Sequence, residues 1–310
     1  MQWQRISSWL LFVFVLSKVK VKVMVSANQV PGSWHQVVPL EDPVDTKYGP
    51  VLGVSASFPP GSGLVGIHAY LGIPYARPPI GDLRFMPPIT PTHRHEAIRA
   101  DRFPPECPQR FPPEVTLPEA EAGKTFPHFR LRVLRHVRDA ARDQDEDCLY
   151  LNIFVPDPAS GRVPDGGYPV LVFLSGDDFE WSPSRIHDVS PLASFGNVIV
   201  VLPNFRIGRL GFLRLERSSR REEVSNLGLL DLIAVLHWVQ ENIHVFRGHR
   251  GKVTLLGHGI AAASYVNFLA LSPTVRPNLD YSMSRKHQTP ANGTREVWHE
   301  HGKCDTWADV

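Results

Sequence analysis

Beyond its N-terminus the sequence has no apolar run approaching the eighteen or so residues that a membrane helix needs, so nothing there could hold the chain in a bilayer. Net charge is nearly absent, at +2, which is too little to mark a nucleic-acid binder. No calcium-ligating loop can be recognised, which leaves calcium dependence of any partner contact open at this point. Cysteine is scarce, at 3. That rules out a disulfide scaffold and leaves room for one bridge and one leftover thiol. What the chain does have is bulk: 310 residues, 43% hydrophobic and 21% charged, the balance of one large globular domain with a real core.

The N-terminus, MQWQRISSWLLFVFVLS, carries one early Arg and a short apolar run. It reads as a secretory signal over residues 1–27, with Val25-Ser26-Ala27 as the small-residue cleavage site. Lys18, Lys20 and Lys22 make the cut atypical, and an uncleaved anchor is the weaker alternative. Of the cysteines, Cys107 and Cys148 lie in the globular part and Cys304 in a polar tail. A Cys107–Cys148 bridge would close a Pro-rich loop and contribute roughly 3 to 4 kcal/mol. Two separate buried thiols are the alternative.

TKYGPVLGVSASF alternates around a Gly break and predicts a small antiparallel hairpin. FPPECPQRFPPEVTLPEAEAGKTFP is Pro-dense and predicts surface loop. LYLNIFVP, PVLVFL and VIVVLP are short runs without alternation, as in strands covered on both faces of a mostly parallel sheet. NLGLLDLIAVLHWVQENIHVF predicts a helix packed on that sheet, with Arg247-Gly248 as its stop. VTLLGHGIAAASYVNFLALSP then reads as strand, tight turn and helix. The alternation predicts an α/β fold.

From Arg276 periodicity ends, and residues 276–310 are expected to be a disordered, divergent tail. The tail holds one N-glycosylation acceptor, Asn292, in Asn292-Gly293-Thr294. His299, His301, Cys304 and Asp305 have a metal-like composition there, read as chance; His93 and His95 are read as a surface pair. Arg132, Arg135, Arg138 and Arg142 recur at three or four residues and would form a basic helix face. A solvated face is the plain interpretation, and a docking face for an acidic partner or glycosaminoglycan the sharper one.

EDCLYLNIFVP, preceded by YLGIPYARPP and followed by NLGLLDLIAVLHWVQENI, resembles the type-B carboxylesterase and cholinesterase family of α/β-hydrolases. Within it, GDDFEW, SPLASFGNVIVVLPNFRIGRLGFL and LLGHG look most like the neuroligins, especially those of insects. The resemblance covers about residues 47–275, roughly the N-terminal half of the family's domain. It implies an incomplete α/β-hydrolase fold over residues 28–275, a Cys107–Cys148 bridge and an Arg84–Glu146 ion pair. It also implies a non-catalytic adhesion receptor that binds neurexin-type partners at cell contacts or synapses, secreted or at the cell surface, with no cofactor or metal.

Acyl transfer needs a nucleophile, a base held by an acid, and donors for an oxyanion. Where the family has G-x-S-x-G, this chain has Gly257-His258-Gly259-Ile260-Ala261, so no hydroxyl stands at the turn. The family's His-Gly-Gly oxyanion loop aligns with Ser175-Gly176-Asp177, and Asp177 and Asp178 would oppose developing negative charge. The family's catalytic acid and His lie downstream, in a stretch this sequence does not contain. Ser264 lies over a turn along the next helix and should point at packing neighbours, and His258 is read as a locally bonded histidine with nothing to activate. The implied function is thus an inactive, esterase-like recognition protein; the alternatives are residual carboxylesterase activity, or a truncated product without independent function. The last follows from the expectation that the strand VTLLG would be left as an exposed apolar edge, making the chain poorly soluble.

Overall fold

The computed structural model describes residues 31–176, 179–217, 222–271 and 280–284. The signal reading, Asn292 and the His299–Asp305 cluster therefore lie outside the described residues. Its centre is an eight-stranded mixed sheet. Four strands enter it antiparallel: β1 (Gln36–Pro39), β4 (Val54–Ser57), β5 (Ile67–Pro74) and β7 (Tyr150–Pro156). The other half is parallel: β9 (Ile199–Pro203), β8 (Tyr168–Ser175), β12 (Gly248–His258) and β13 (Asp280–Ser284). The spatial order is β1-β4-β5-β7-β9-β8-β12-β13, with β7 and β9 antiparallel at the junction. All five residues of β9 are buried, as its unbroken run of apolar side chains requires of a strand covered on both faces.

The predicted hairpin exists in part. β2 (Val44–Thr46) turns into β3 (Gly49–Leu52), and both join β6 (Ile98–Arg99) in a separate three-stranded sheet. Gly53 then passes the chain to β4 in the main sheet. A Cβ there would sit 2.5 Å from the Ala69 carbonyl oxygen, so only glycine allows the crossing.

Six helices complete the described chain: α1 (Glu119–Ala122), α2 (His128–Ala140), α3 (Ser190–Gly196), α4 (Gly208–Phe212), α5 (Leu227–Asn242) and α6 (Ile260–Leu271). The Pro-dense stretch is mostly loop, yet it buries Glu106, Cys107, Val115 and Ala122. Helix α5 buries Leu232, Val235, Leu236 and Val239 in the main core. It ends at Asn242, tightens into a 3₁₀ turn over Ile243–Phe246, and is stopped by Arg247 in the left-handed region at φ 65°. A short hairpin of β10 (Leu215–Arg217) and β11 (Glu222–Val224) stands apart.

One expectation fails at the end of the sheet. Asp280–Ser284, within the stretch read as a disordered tail, forms β13 and pairs in parallel with β12 from Thr254↔Asp280 to His258↔Ser284. The strand leading to the turn is therefore interior to the sheet and not an exposed edge. Composition hid this, because DYSMS has too few apolar residues to announce a strand. Adjacent residues of a strand send their amides to opposite sides, so the double change Ser282→Pro/Met283→Pro removes at least one donor from the β12 ladder. The variant is expected to shift towards aggregates in size-exclusion chromatography, and an unchanged monomer peak would contradict the pairing.

Candidate functional site

Parallel pairing of β8 with β12 sets their carboxyl ends side by side, Ser175 opposite His258. The Gly176 amide donates to the His258 carbonyl at 3.2 Å. Beyond His258 the chain turns at Gly259, at φ 98°, and enters α6 at Ile260. This is the strand, elbow and helix implied by the sequence, with a backbone that only glycine adopts without strain. Gly257, His258 and Gly259 thus meet Gly176 at one end of the sheet. Asp177 and Asp178 lie outside the described residues.

Aromatic rings occupy the space beside this elbow. Phe179, at φ 59°, packs edge-on against Tyr265 at 5.2 Å and Phe212 at 5.5 Å between ring centroids. Tyr265 also stacks on Phe212 at 5.9 Å and meets Phe205 at 5.4 Å. Its hydroxyl is buried with no hydrogen-bond partner, and burial holds the phenol well above its ordinary pKa. On the other side His258 is half-buried, stacked on Phe173 at 6.3 Å and edge-on to His187 at 4.9 Å. Ser264 is exposed on α6, where packing neighbours were expected, and is one helical turn or more from the elbow tip. Among the described residues no group of three or more metal-ligating side chains comes together.

Four supports hold the loops of the described chain. Cys107 and Cys148 form a disulfide across 41 residues of sequence. Next to it, Arg84 Nε lies 2.5 Å from Glu146 Oε2 in a partly exposed ion pair, which solvent screens. Glu106 is fully buried and accepts from Ser184 N, Ser184 Oγ, Arg185 N and Arg185 Nε at 3.0 to 3.3 Å. Burial pushes its carboxyl above the ordinary carboxylate range, against the pull of those donors.

The fourth support is the buried pair Arg206–Asp231, 3% and 0% exposed. Arg206 Nε and Nη2 donate to the two Asp231 oxygens at 2.8 and 2.7 Å, and Nη1 donates to the Met86 carbonyl at 2.8 Å. This bidentate fork ties the chain after β9 to the first half of α5. Asp231 and Glu106 are sites that pattern reading missed. A lone carboxylate in the apolar run LLDLIAVL was the available signal, because such a group is buried only with a partner.

The arginine face finds a different use from docking. Arg135 donates to the carbonyls of Val115 and Leu117 at 3.1 and 2.6 Å, and Arg138 to Val115 at 3.3 Å and Asp139 at 3.0 Å. Arg142 pairs with Asp139 at 3.1 Å. Arg132 is exposed. Two of the four arginines, Arg135 and Arg138, are therefore committed to the Pro-rich loop, and the structure gives no support to the face as a surface for an acidic partner or glycosaminoglycan. His93 and His95 meet edge-on at 5.3 Å on the surface, as read.

A profile of the carboxylesterase family matches residues 41–283, across the described sheet and into β13. The chain belongs to the carboxylesterase family. It is 37% identical to mouse neuroligin-3 over 249 residues, covering 74% of this chain and 29% of that protein. Against mouse neuroligin-2 it is 37% identical over 254 residues, covering 74% and 28%. The para-nitrobenzyl esterase of Bacillus subtilis (strain 168) is 36% identical over 241 residues, covering 76% and 41%. A solved structure of a thermophilic PNB esterase superimposes with TM-score 0.59 at 33% identity, over 76% of this chain and 42% of that one. The chain thus spans less than a third of the neuroligins' length and under half of the esterase's. The observed sheet and helices are part of the α/β-hydrolase fold.

Two stability measurements check the supports. Asp231→Asn leaves the buried Arg206 uncompensated and is expected to cost about 3 to 5 kcal/mol, read as a large fall in the urea midpoint. Cys148→Ser releases the loop and is expected to cost about 4 kcal/mol on the chain-entropy account. Reducing the parent protein should reproduce that loss, and an unchanged midpoint would contradict the bridge.

Proposed function

We propose that this carboxylesterase-family chain serves adhesion or recognition and does not hydrolyse esters. The observation that carries the reading is Gly259 at the elbow tip, where the turn is kept and the nucleophile position has no side chain. An aromatic contact of Phe179 with Tyr265, on the helix after the elbow, accompanies it. The neuroligin relatives supply the partner class, neurexin-type proteins at cell contacts. The Arg84–Glu146 pair and the glycine elbow are structural remnants on this reading, and residues 1–27 and Asn292 belong to a secreted or cell-surface glycoprotein with its esterase-type domain starting near residue 28.

A second reading is favoured by one comparison. The Bacillus subtilis relative is by its name a para-nitrobenzyl esterase, and it matches as much of this chain as the neuroligins do. On that reading residual hydrolysis persists through another nucleophile. Both are tested together on the secreted protein with p-nitrophenyl acetate turnover and biolayer interferometry against an immobilised neurexin ectodomain.

Binding without turnover is the expected result. Turnover abolished by Ser264→Ala would establish the hydrolase, and neither activity would overturn the adhesion reading for this chain. Gly259→Ser is expected to remain inactive while losing about 1 to 3 kcal/mol, because a side chain at φ 98° is strained. Ester turnover gained by that single change would show that the rest of the machinery is intact.

A further inference from the structure

Helix α5 presents a second face, away from the sheet, on which Leu230, Ile233, Ala234 and His237 follow one another at helical spacing and are only partly covered or exposed. They floor a groove of about 420 Å³, walled by Pro87, Pro88 and Ile89 on one side and by Tyr48 and Glu241 on the other. Ile89 is 40% exposed. The floor from Leu230 to Glu241 runs roughly 16 Å at about 1.5 Å per residue, the length of about five residues of extended peptide.

The helix end of this groove is basic. His244, Arg247, Arg250 and Lys252 are exposed, with His249 half-covered between them. The chain is shaped to project them: β12 pairs with β8 at Gly248 and again from Val253, and the residues between leave the ladder. Arg250 is fixed to the helix terminus, its Nη2 donating to the Glu241 carbonyl at 2.8 Å, while the Gln240 side chain donates to the Arg250 carbonyl at 3.0 Å. The acid at the junction, Glu241, is already engaged by Lys47 Nζ at 2.5 Å and Tyr48 Oη at 2.6 Å. Asp165 is the exposed acid of the neighbouring loop, whose Gly166 faces the His249 ring. Asp45, on β2 against the 3₁₀ turn, is a second exposed acid, and Arg247, Arg250 and Lys252 outnumber the two, so positive charge remains in excess at this end.

We propose that the groove and the basic turn form one docking surface for an extended protein segment in which apolar residues lead into acidic ones. Charge complementarity sets the direction, with the acidic end of the segment at Arg250 and Lys252 and its apolar end along Ile233 and Ile89. A polyanion that binds by charge alone, such as a sulfated glycan, would leave the apolar half unused, and that difference separates the two. The basic turn lies at the start of β12 and the elbow at its other end, and the proposal does not depend on the adhesion reading.

The test pans a random short-peptide display library against the secreted chain and measures fluorescence anisotropy with the enriched peptides, with heparin and polyglutamate as competitors. Enriched peptides should combine apolar and acidic residues. Their affinity should fall about ten-fold or more for Lys252→Glu, with a flatter salt dependence, as for a rim charge that steers association. A similar fall is expected for Ile89→Ser, whose salt dependence stays that of the parent. Both changes are at exposed side chains, and circular dichroism checks that the variants fold. Peptides insensitive to Ile89→Ser, full competition by polyglutamate or heparin, or no enrichment at all would each overturn the proposal.

Discussion

Parallel pairing between β8 and β12 is the constraint on which the rest of this structure hangs. Its register brings Ser175 opposite His258 and so places two loop starts, after Gly176 and at Gly259, at the same end of the sheet. In open α/β sheets that end is where ligands bind, because crossover helices leave a crevice beyond the strand termini. Gly259 stands at the turn, and Phe179, Phe205, Phe212 and Tyr265 form an aromatic cluster on the elements that follow.

Elsewhere in the fold, loops are pinned by buried carboxylates. The Arg206–Asp231 fork joins the strand exit of β9 to α5, and Glu106 gathers the amides of Ser184 and Arg185. Both carboxylates are fully buried, where burial resists ionisation and only convergent donors hold the charge. Such groups act as locks more than as sources of net stability: removing one partner is costly, although the pair itself gains little over an apolar core. The loops that these groups join are thereby held in one arrangement.

Much of the fold was legible in the sequence, and the exceptions have physical causes. The buried runs of β7 and β9, the apolar run of β8, which is buried only at alternate residues, and the glycine elbow were readable, because unbroken apolarity and a Gly-His-Gly turn each admit few conformations. β13 was not, since its pairing is set by the neighbouring strand and not by its own composition. The arginines of α2 were visible as a periodic face, but their use was hidden: whether a basic stripe meets water or the carbonyls of Val115 and Leu117 is a tertiary fact. Ser264 was placed on the right helix and given the wrong surroundings, because the phase of α6 cannot be fixed when its residues are apolar nearly all round. Glu106 was missed outright, sitting in a Pro-rich stretch that looked like surface.

The central claim is that the esterase elbow persists without an activated nucleophile. Labelling of the folded, secreted protein with a fluorophosphonate probe tests it most directly, since the probe captures only hydroxyls made reactive by their surroundings. No covalent adduct by intact mass, alongside full labelling of a para-nitrobenzyl esterase control, is the result this account predicts. A stoichiometric adduct, mapped by peptide digestion to Ser264 or any other residue, would contradict it.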